Sequence, residues 1–283
     1  NAVHLISEAS RLAFADREVY IGDPDSVPVP AKGLIAPDYL AERAKGISRL
    51  RARPKATPGM PAMGNLGTVE FARFPSGGFG PDDFADEGES TAHVGAVDPA
   101  GNVAALTASV ERHFGARIMA AGFVLNNQLT DFACDPVRQG GAVANAPAQG
   151  KRPRSSMAPT IVFDGAGRPV LTLGSPGGPR IIGYVAKTVI AALDWDMDAG
   201  AAVRAANVLD RGRGIEIEKG SALEALKVPL EAKGHGVAIV EMDSGVNAIR
   251  VRYGSAPGPA GTTAPAPLLG IADPRREGAA AGE

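Results

Sequence analysis

The 283-residue chain is 45% hydrophobic and 21% charged with a formal net charge of −2. It can bury a sizeable core as one large or two small domains, and it lacks the basic field that nucleic acid or an anionic membrane would require. Aromatics make up 5% while Gly (36) and Pro (23) are abundant, so a loop-rich protein packed through small residues is expected. One cysteine, Cys134, excludes an internal disulfide or a cysteine-based zinc cluster, and His4, His93, His113 and His235 show no metal-ligand spacing. Neither metal nor cofactor is expected, and no apolar run has the length of a membrane span. The chain opens at Asn1 with neither Met nor signal peptide, which we read as a fragment or processed piece.

In chain order, Ala2–Ala15 places Leu5, Ala9, Leu12 and Ala13 on one face and predicts an amphipathic helix. Gly22-Asp23-Pro24-Asp25 and Pro28-Val29-Pro30 predict a stiff turn region. A second helix, Tyr39–Ile47, opens at Pro37-Asp38 and ends in Arg49, Arg51, Arg53 and Lys55, a cluster better read as a solvated helix end than as an anion site. From Pro54 to Ser90 the sequence is Pro/Gly-rich, with an acidic run Asp82, Asp83, Asp86, Glu87, Glu89. It predicts a long mobile connection, unusual unless functional or cleavable.

Ala92–Val97 and Val103–Ala108, joined by Asp98-Pro99-Ala100-Gly101-Asn102, predict a hairpin. Val124-Leu125-Asn126-Asn127-Gln128 ends an apolar run in stacked amides, and Ala133–Gly150 reads as a polar loop. Strands are expected at Thr160–Phe163, Pro169–Leu173, Ile215–Glu218, Val237–Met242 and Ala248–Tyr253. Helices are expected at Arg180–Leu193, with a core stripe Ile182, Val185, Val189, Leu193, and at Ala199–Val208 and Ala222–Lys233. Ser255–Pro267 reads as a surface loop, and Asp273–Gly278 closes the chain.

Three stretches bear on chemistry. Thr91 at the border of the first strand is either an ordinary β-branched residue or, if the Ser90–Thr91 bond is cut, a new N-terminus whose α-amine serves its own hydroxyl as base. Gly174-Ser175-Pro176-Gly177-Gly178, between a strand and a helix, is a tight turn, an anion cradle, or a pair of N–H donors for an oxyanion. Ser155-Ser156 behind Lys151-Arg152-Pro153-Arg154 offers two hydroxyls suited to a carboxylate, or a solvent-facing turn. Gln128 and Asp131 can accept from an ammonium, or cap a loop.

Taken together, Thr91-Ala92-His93, Phe114-Gly115, Leu125-Asn126-Asn127-Gln128-x-x-Asp131-Phe132, Lys151-x-Pro153-x-Ser155-Ser156-Met157-x-Pro159-Thr160 and Gly174-Ser175-Pro176-Gly177-Gly178 resemble the γ-glutamyltransferase (γ-glutamyltranspeptidase, glutathione hydrolase) family. Upstream, Arg11-Leu12-Ala13-Phe14-Ala15-Asp16-Arg17 and Gly22-Asp23-Pro24 resemble the end of its large subunit. The resemblance implies an α+β fold, the N-terminal-nucleophile hydrolase sandwich of two sheets between helical layers, with the early part of the large subunit absent. Residues 1–90 would be large-subunit region with a pre-cleavage linker and 91–283 the catalytic small subunit.

By resemblance, Thr91 attacks the Ser90 carbonyl during maturation and afterwards the γ-glutamyl amide of glutathione-like substrates. Ser109 stands where the family usually has a Thr bonded to the nucleophile, and Gly177 and Gly178 match the oxyanion pair. Gln128 and Asp131 match holders of the substrate α-amino group, and Ser155 and Ser156 match contacts to its α-carboxylate. Acceptors are water, amino acids or peptides. Glu111 stands where better-studied members have Asn, and Cys134–Gly150 is a short lid without Tyr. The family's carboxylate-clamping Arg belongs to a region this chain lacks, making the large-subunit portion an expected partner. His93 is read as structural. Two alternatives stay open: an acylase of the cephalosporin or glutaryl-amide type, and a non-catalytic truncated relic. A periplasmic or secreted location is the expectation carried from bacterial members.

Overall fold

The computed structural model describes residues 1–64, 90–138, 141–253 and 265–282. Most of the expected Pro54–Ser90 connection and of the Ser255–Pro267 loop lies outside them. In chain order come α1 (Ala2–Tyr20), α2 (Ala31–Leu34), α3 (Pro37–Lys45), β1 (Thr91–Val97), β2 (Val103–Ser109), β3 (Met119–Ala120) and β4 (Phe123–Val124). A 3₁₀ turn, Gln128–Asp131, precedes β5 (Val137–Arg138), β6 (Gly141–Ala142), β7 (Thr160–Phe163), β8 (Pro169–Gly174), α4 (Ile181–Leu193) and α5 (Ala199–Arg204). Then follow β9 (Val208–Asp210), β10 (Ile215–Glu218), α6 (Lys227–Glu231), β11 (Val237–Val240), β12 (Asn247–Tyr253) and β13 (Pro265–Ala272). The chain forms two compact units that alternate along the sequence.

The first unit comprises Asn1–Asp86, Gln128–Ser155 and Val208–Val240. Here α1 continues five residues past the expected Ala15, because no breaker occurs before Gly22-Asp23-Pro24. Its buried face differs from the expected stripe: Ala9 and Ala13 are exposed and Leu5 half-buried, while His4, Ser7, Glu8, Leu12, Phe14, Ala15 and Asp16 are buried. Polar residues are accommodated because they are paired. Glu8 accepts from Arg11 (2.8 Å) and the Arg53 amide (3.1 Å), and Asp16 accepts from Tyr39 (2.8 Å), Arg43 (3.0 Å) and the Gly59 amide (2.7 Å).

β10 pairs parallel with β11 and antiparallel with β9, and Val208, Ile215, Ile217 and Leu230 form the core beside them. The expected helix Ala222–Lys233 is instead a 3₁₀ turn, Ala222–Leu226, running into the short α6. Pro229 supplies no N–H to an earlier carbonyl, which limits a continuous helix.

The second unit comprises Glu87–Asn127, Ser156–Asn207 and Glu241–Glu283. Its antiparallel sheet runs β13-β12-β8-β7. The expected hairpin forms as β1–β2, in register from Thr91↔Ser109 to Val97↔Val103. The Asp98 carboxylate secures its turn by accepting from the Asn102 amide at 2.8 Å. This ribbon packs across the sheet, with Gly95 facing Thr172 and Ile249. Strand β13 includes residues read as loop, and β3–β4 is a hairpin where only an apolar run was expected.

In α4 the buried residues are Ile181, Tyr184, Val185, Lys187, Thr188, Ala191 and Ala192, whereas Leu193 is exposed and Ile182 and Val189 are half-buried. The helix is apolar nearly all round, so composition alone did not fix its inward face. α5 is capped by Asp198, which accepts from the Gly200 (2.9 Å) and Ala201 (3.2 Å) amides. It ends at Arg204 rather than Val208. Asn207 is buried and donates to Ser244 at 2.9 Å, and the chain then enters β9.

Candidate functional site

In the second unit, Thr91 begins β1 opposite Ser109 at the end of β2. The buried Thr91 hydroxyl donates to Ser109 Oγ at 2.9 Å, and the same oxygen accepts from the Glu111 amide at 2.8 Å. The Ser90 carbonyl accepts from the Val110 amide at 3.4 Å, so the peptide that self-cleavage would attack is held by strand-like pairing. Glu111 has φ 75°, an uncommon conformation for a residue with a side chain, followed by Phe114 (60°), Arg117 (57°) and Ala121 (50°). Such clustered left-handed residues persist only where surrounding bonds over-determine them. Here Asn127 supplies two, its amide to Val110 O (3.2 Å) and its Oδ1 to the Arg112 amide (3.0 Å).

Two residues along β1, His93 points to the same face as Thr91. Its buried ring lies against Gly174, where an added Cβ would sit 2.2 Å from His93 Nδ1, and that nitrogen bonds Thr107 Oγ1 at 2.8 Å. Burial pushes the imidazole pKa down. The packing fits the structural reading of His93 and ties β1 to the last residue of β8.

Beyond Gly174 the chain turns through Ser175-Pro176-Gly177-Gly178 into α4. Ser175 is buried, donates to Pro176 O (2.7 Å) and accepts from the Gly245 amide (3.2 Å). Gly177 has φ 124° and Gly178 φ 52°. A Cβ at Gly177 would lie 2.6 Å from Tyr184 Cε2, so the positive φ and the ring beneath both require glycine.

In the first unit, Gln128 and Asp131 occupy one 3₁₀ turn, and Gln128 Nε2 donates to Asp131 Oδ2 at 2.5 Å. Asn145, buried, donates from Nδ2 to Asp131 O at 2.7 Å and accepts at Oδ1 from the Arg154 amide at 2.9 Å. Arg154 pairs with Glu18 at 2.6 Å, and Arg17 donates to Ser155 O at 3.5 Å. Burial first, and then the Arg154 charge, push the Arg17 pKa down to about 10, while Glu18 and Asp131 act the other way.

Asp23 locks the same segment from its other end by accepting from the Arg152 amide (2.9 Å) and guanidinium (2.7 Å), which hold its carboxyl well below the usual range. Lys151 is buried and donates to Ala144 O (2.6 Å) and Ala146 O (2.8 Å). Ser155 is exposed, and Ser156, half-buried, opens a stretch of the second unit.

Thus each unit groups part of the expected set: Thr91, Ser109, Glu111, Gly177, Gly178 and Ser156 in one, and Gln128, Asp131 and Ser155 in the other. Sequence reasoning missed Asn145, Glu18 and the Asp23–Arg152 pair as supports. The signals available were the Gly22-Asp23-Pro24-Asp25 turn and the Lys/Arg turn, which it noted separately. Among the described residues, no group of three or more His, Cys, Asp or Glu has the arrangement of a metal site, and no helix is long and apolar enough to cross a membrane.

The strand-borne hydroxyl pair, the glycine turn in the same unit and the arrangement of strands and helices fit one class. This is the N-terminal-nucleophile hydrolase fold, shared with a Helicobacter pylori γ-glutamyltranspeptidase T380A mutant (32% identity, TM-score 0.54, covering 65% of this chain and 99% of that one). It is shared also with a cephalosporin acylase from Bacillus halodurans (22% identity, TM-score 0.74, covering 99% of this chain and 45% of that one). The model for gamma-glutamyltranspeptidase matches residues 1–283, and the chain belongs to that family. It is 36% identical to a glutathione hydrolase proenzyme of Bacillus subtilis over 98% of this chain and 44% of the relative. It is 34% identical to an acylase ACY 1 proenzyme of a Pseudomonas strain over 88% of this chain and 40% of the relative. The chain therefore spans less than half the length of these relatives.

Proposed function

We propose that the chain is the catalytic portion of a self-cleaving γ-glutamyl hydrolase and transferase acting on glutathione and related γ-glutamyl amides. The observation that carries this reading is the 2.9 Å bond from Thr91 to Ser109 at the head of the ribbon, in the unit that also bears the Gly177-Gly178 turn. Cleavage of Ser90–Thr91 frees an α-amine, whose ordinary pKa of roughly 7.7–8.0 suits a base near neutral pH. The amine takes the Thr91 hydroxyl proton as Oγ1 attacks the γ-carbonyl, and the Gly177 and Gly178 amides meet the oxyanion. Collapse breaks the C–N bond, the leaving amine receives the proton, and water or an amino acid or peptide amine then attacks the acyl-enzyme.

Gln128 and Asp131 are assigned to the substrate ammonium and Ser155 and Ser156 to its carboxylate, with Glu111 as a further charge for the ammonium. The remainder of the relatives' length is the proposed partner, and the periplasm or cell exterior the proposed location.

Glu111 and the similarity to an acylase proenzyme favour a second reading, with the same nucleophile but a different acyl group. Incubated protein should part into two pieces, one starting at Thr91, as read by mass spectrometry. Thr91→Ala should abolish both cleavage and turnover. An uncut chain that still hydrolyses γ-glutamyl anilides sinks the assignment of Thr91. Turnover of glutaryl but not γ-glutamyl amides selects the second reading.

A further inference from the structure

We propose that Asn145 is a positioning residue that sets the separation of Asp131 from Ser155 and thereby selects acyl groups bearing an α-amino acid headgroup; this rests on the function proposed above. Asn145 is 1% exposed and lies in a stretch read from sequence as a featureless loop. Its amide makes two bonds of opposite polarity, donating to the Asp131 carbonyl at 2.7 Å and accepting from the Arg154 amide at 2.9 Å. Its own carbonyl accepts from the Ala133 amide at 3.1 Å. One side chain therefore joins the backbone of the residue assigned to the ammonium with that of the residue preceding the one assigned to the carboxylate.

The fixed polarity excludes a simple space-filling role. An aspartate has the same shape but no donor for the Asp131 carbonyl, and an alanine supplies neither bond. The second strand of the splice is held from α1: Arg154 pairs with Glu18 at 2.6 Å, and Arg17 reaches Ser155 O at 3.5 Å. In a γ-glutamyl group, ammonium and carboxylate sit on one carbon, so their holders must keep a set spacing. A glutaryl group has the carboxylate alone and does not depend on it. The splice therefore acts on discrimination and leaves the reacting carbonyl untouched.

The test measures KM and kcat for a γ-glutamyl anilide, inhibition by L-glutamate and by glutarate, and completeness of Ser90–Thr91 cleavage. The proteins are the full-length gene product and its Asn145→Asp and Asn145→Ala variants. Expected are complete cleavage, kcat within about three-fold, and KM raised roughly ten- to hundred-fold, the range for a buried hydrogen bond left unmade. L-glutamate inhibition should weaken in parallel while glutarate inhibition stays put. Equal weakening of both inhibitors, an unchanged KM, or a fall confined to kcat overturns the proposal. So does loss of folding in both variants, since Asn145→Asp preserves shape. If the unmutated protein itself neither binds L-glutamate nor turns over the anilide, the proposed function fails first and this role with it.

Discussion

Ser109 presents one oxygen to two donors, the Thr91 hydroxyl at 2.9 Å and the Glu111 amide at 2.8 Å. The backbone donor fixes where that oxygen sits, so it orients the hydroxyl of Thr91, the proposed nucleophile. Ser109→Ala should lower kcat by about ten- to hundred-fold, on the scale of one hydrogen bond left unmade. Ser109→Thr, which keeps the hydroxyl, should retain activity within about three-fold. Equal activity in Ser109→Ala, measured on a γ-glutamyl anilide, removes Ser109 from the machinery. Gly177 is constrained twice, by φ 124° and by the Tyr184 ring 2.6 Å from any added Cβ. Gly177→Ala should destabilise the fold by about 1–3 kcal/mol through backbone strain, and should cost about a hundred-fold or more in kcat if its amide serves the oxyanion. Chemical denaturation and steady-state kinetics separate the two effects. Gly177 was singled out in the sequence by its glycine turn, a local signature, whereas Ser109 was reached only through the family resemblance, because a lone strand-end hydroxyl carries no signature of its own. Asn145 was not legible, since a lone amide among Gly, Ala and Pro shows its role only when its partners, 14 and 9 residues away, are in place.

Elements in the first unit meet at a buried histidine pair. His4 of α1 bonds Ser48 O at 2.7 Å through Nε2, which makes that nitrogen the donor, so its Nδ1 accepts from His235 Nε2 at 2.6 Å. Glu8, Arg11 and Lys233 also face His235, whose pKa is lowered chiefly by burial and next by His4. The folded state thus favours neutral His235. Its contribution is full above the unfolded pKa of roughly 6.5 and is lost as pH falls through the lowered value. Asp210 opposes this, its pKa raised to about 6 by burial from 3.8, so stability is lost as pH rises from about 4 to 6. His235→Gln should flatten the acid limb of a Tm-against-pH curve. Asp210→Asn should steepen the rise between about pH 4 and 6 and, by removing a buried charge, add on the order of 2 kcal/mol at pH 7. An unchanged curve in both variants leaves the two groups without a role in the acid limb. The sequence announced the long helix and the strands, whose period or β-branched runs are local. It misjudged inward faces in α1 and α4, because ion pairs bury polar residues in one and the other is apolar nearly all round.

At the scale of the molecule, the open edge of β1 is the unsolved part of the second unit. Among the described residues β1 pairs with β2 alone, and its residues 93–97 with the turn residues Asp98 and Pro99 line a cavity of about 1070 Å³ together with parts of β12, β13 and residues 279–282. Strand β13 was illegible because Pro265 and Pro267 discourage a strand reading, although an edge strand tolerates proline. The terminal segment rests on small-residue contacts. A methyl added at Gly270 would meet Ala280 Cβ at 2.8 Å, and one at Gly278 would meet Ala272 Cβ and Asn247 Oδ1, each at 2.9 Å. Asn247 in turn donates to His93 O at 3.1 Å, two residues from Thr91. The last residues therefore pack against Asn247, and Asn247 bonds the strand that begins with Thr91, the proposed nucleophile. Removing residues 278–283 should slow appearance of the Thr91 fragment several-fold, and Asn247→Ala alone should reproduce most of that delay. Substituting Ala280 by Ser, which barely alters packing volume, should leave the rate unchanged. A truncated protein that matures at the normal rate, followed by mass spectrometry over time, would show that the terminal segment does nothing for the alignment of Thr91.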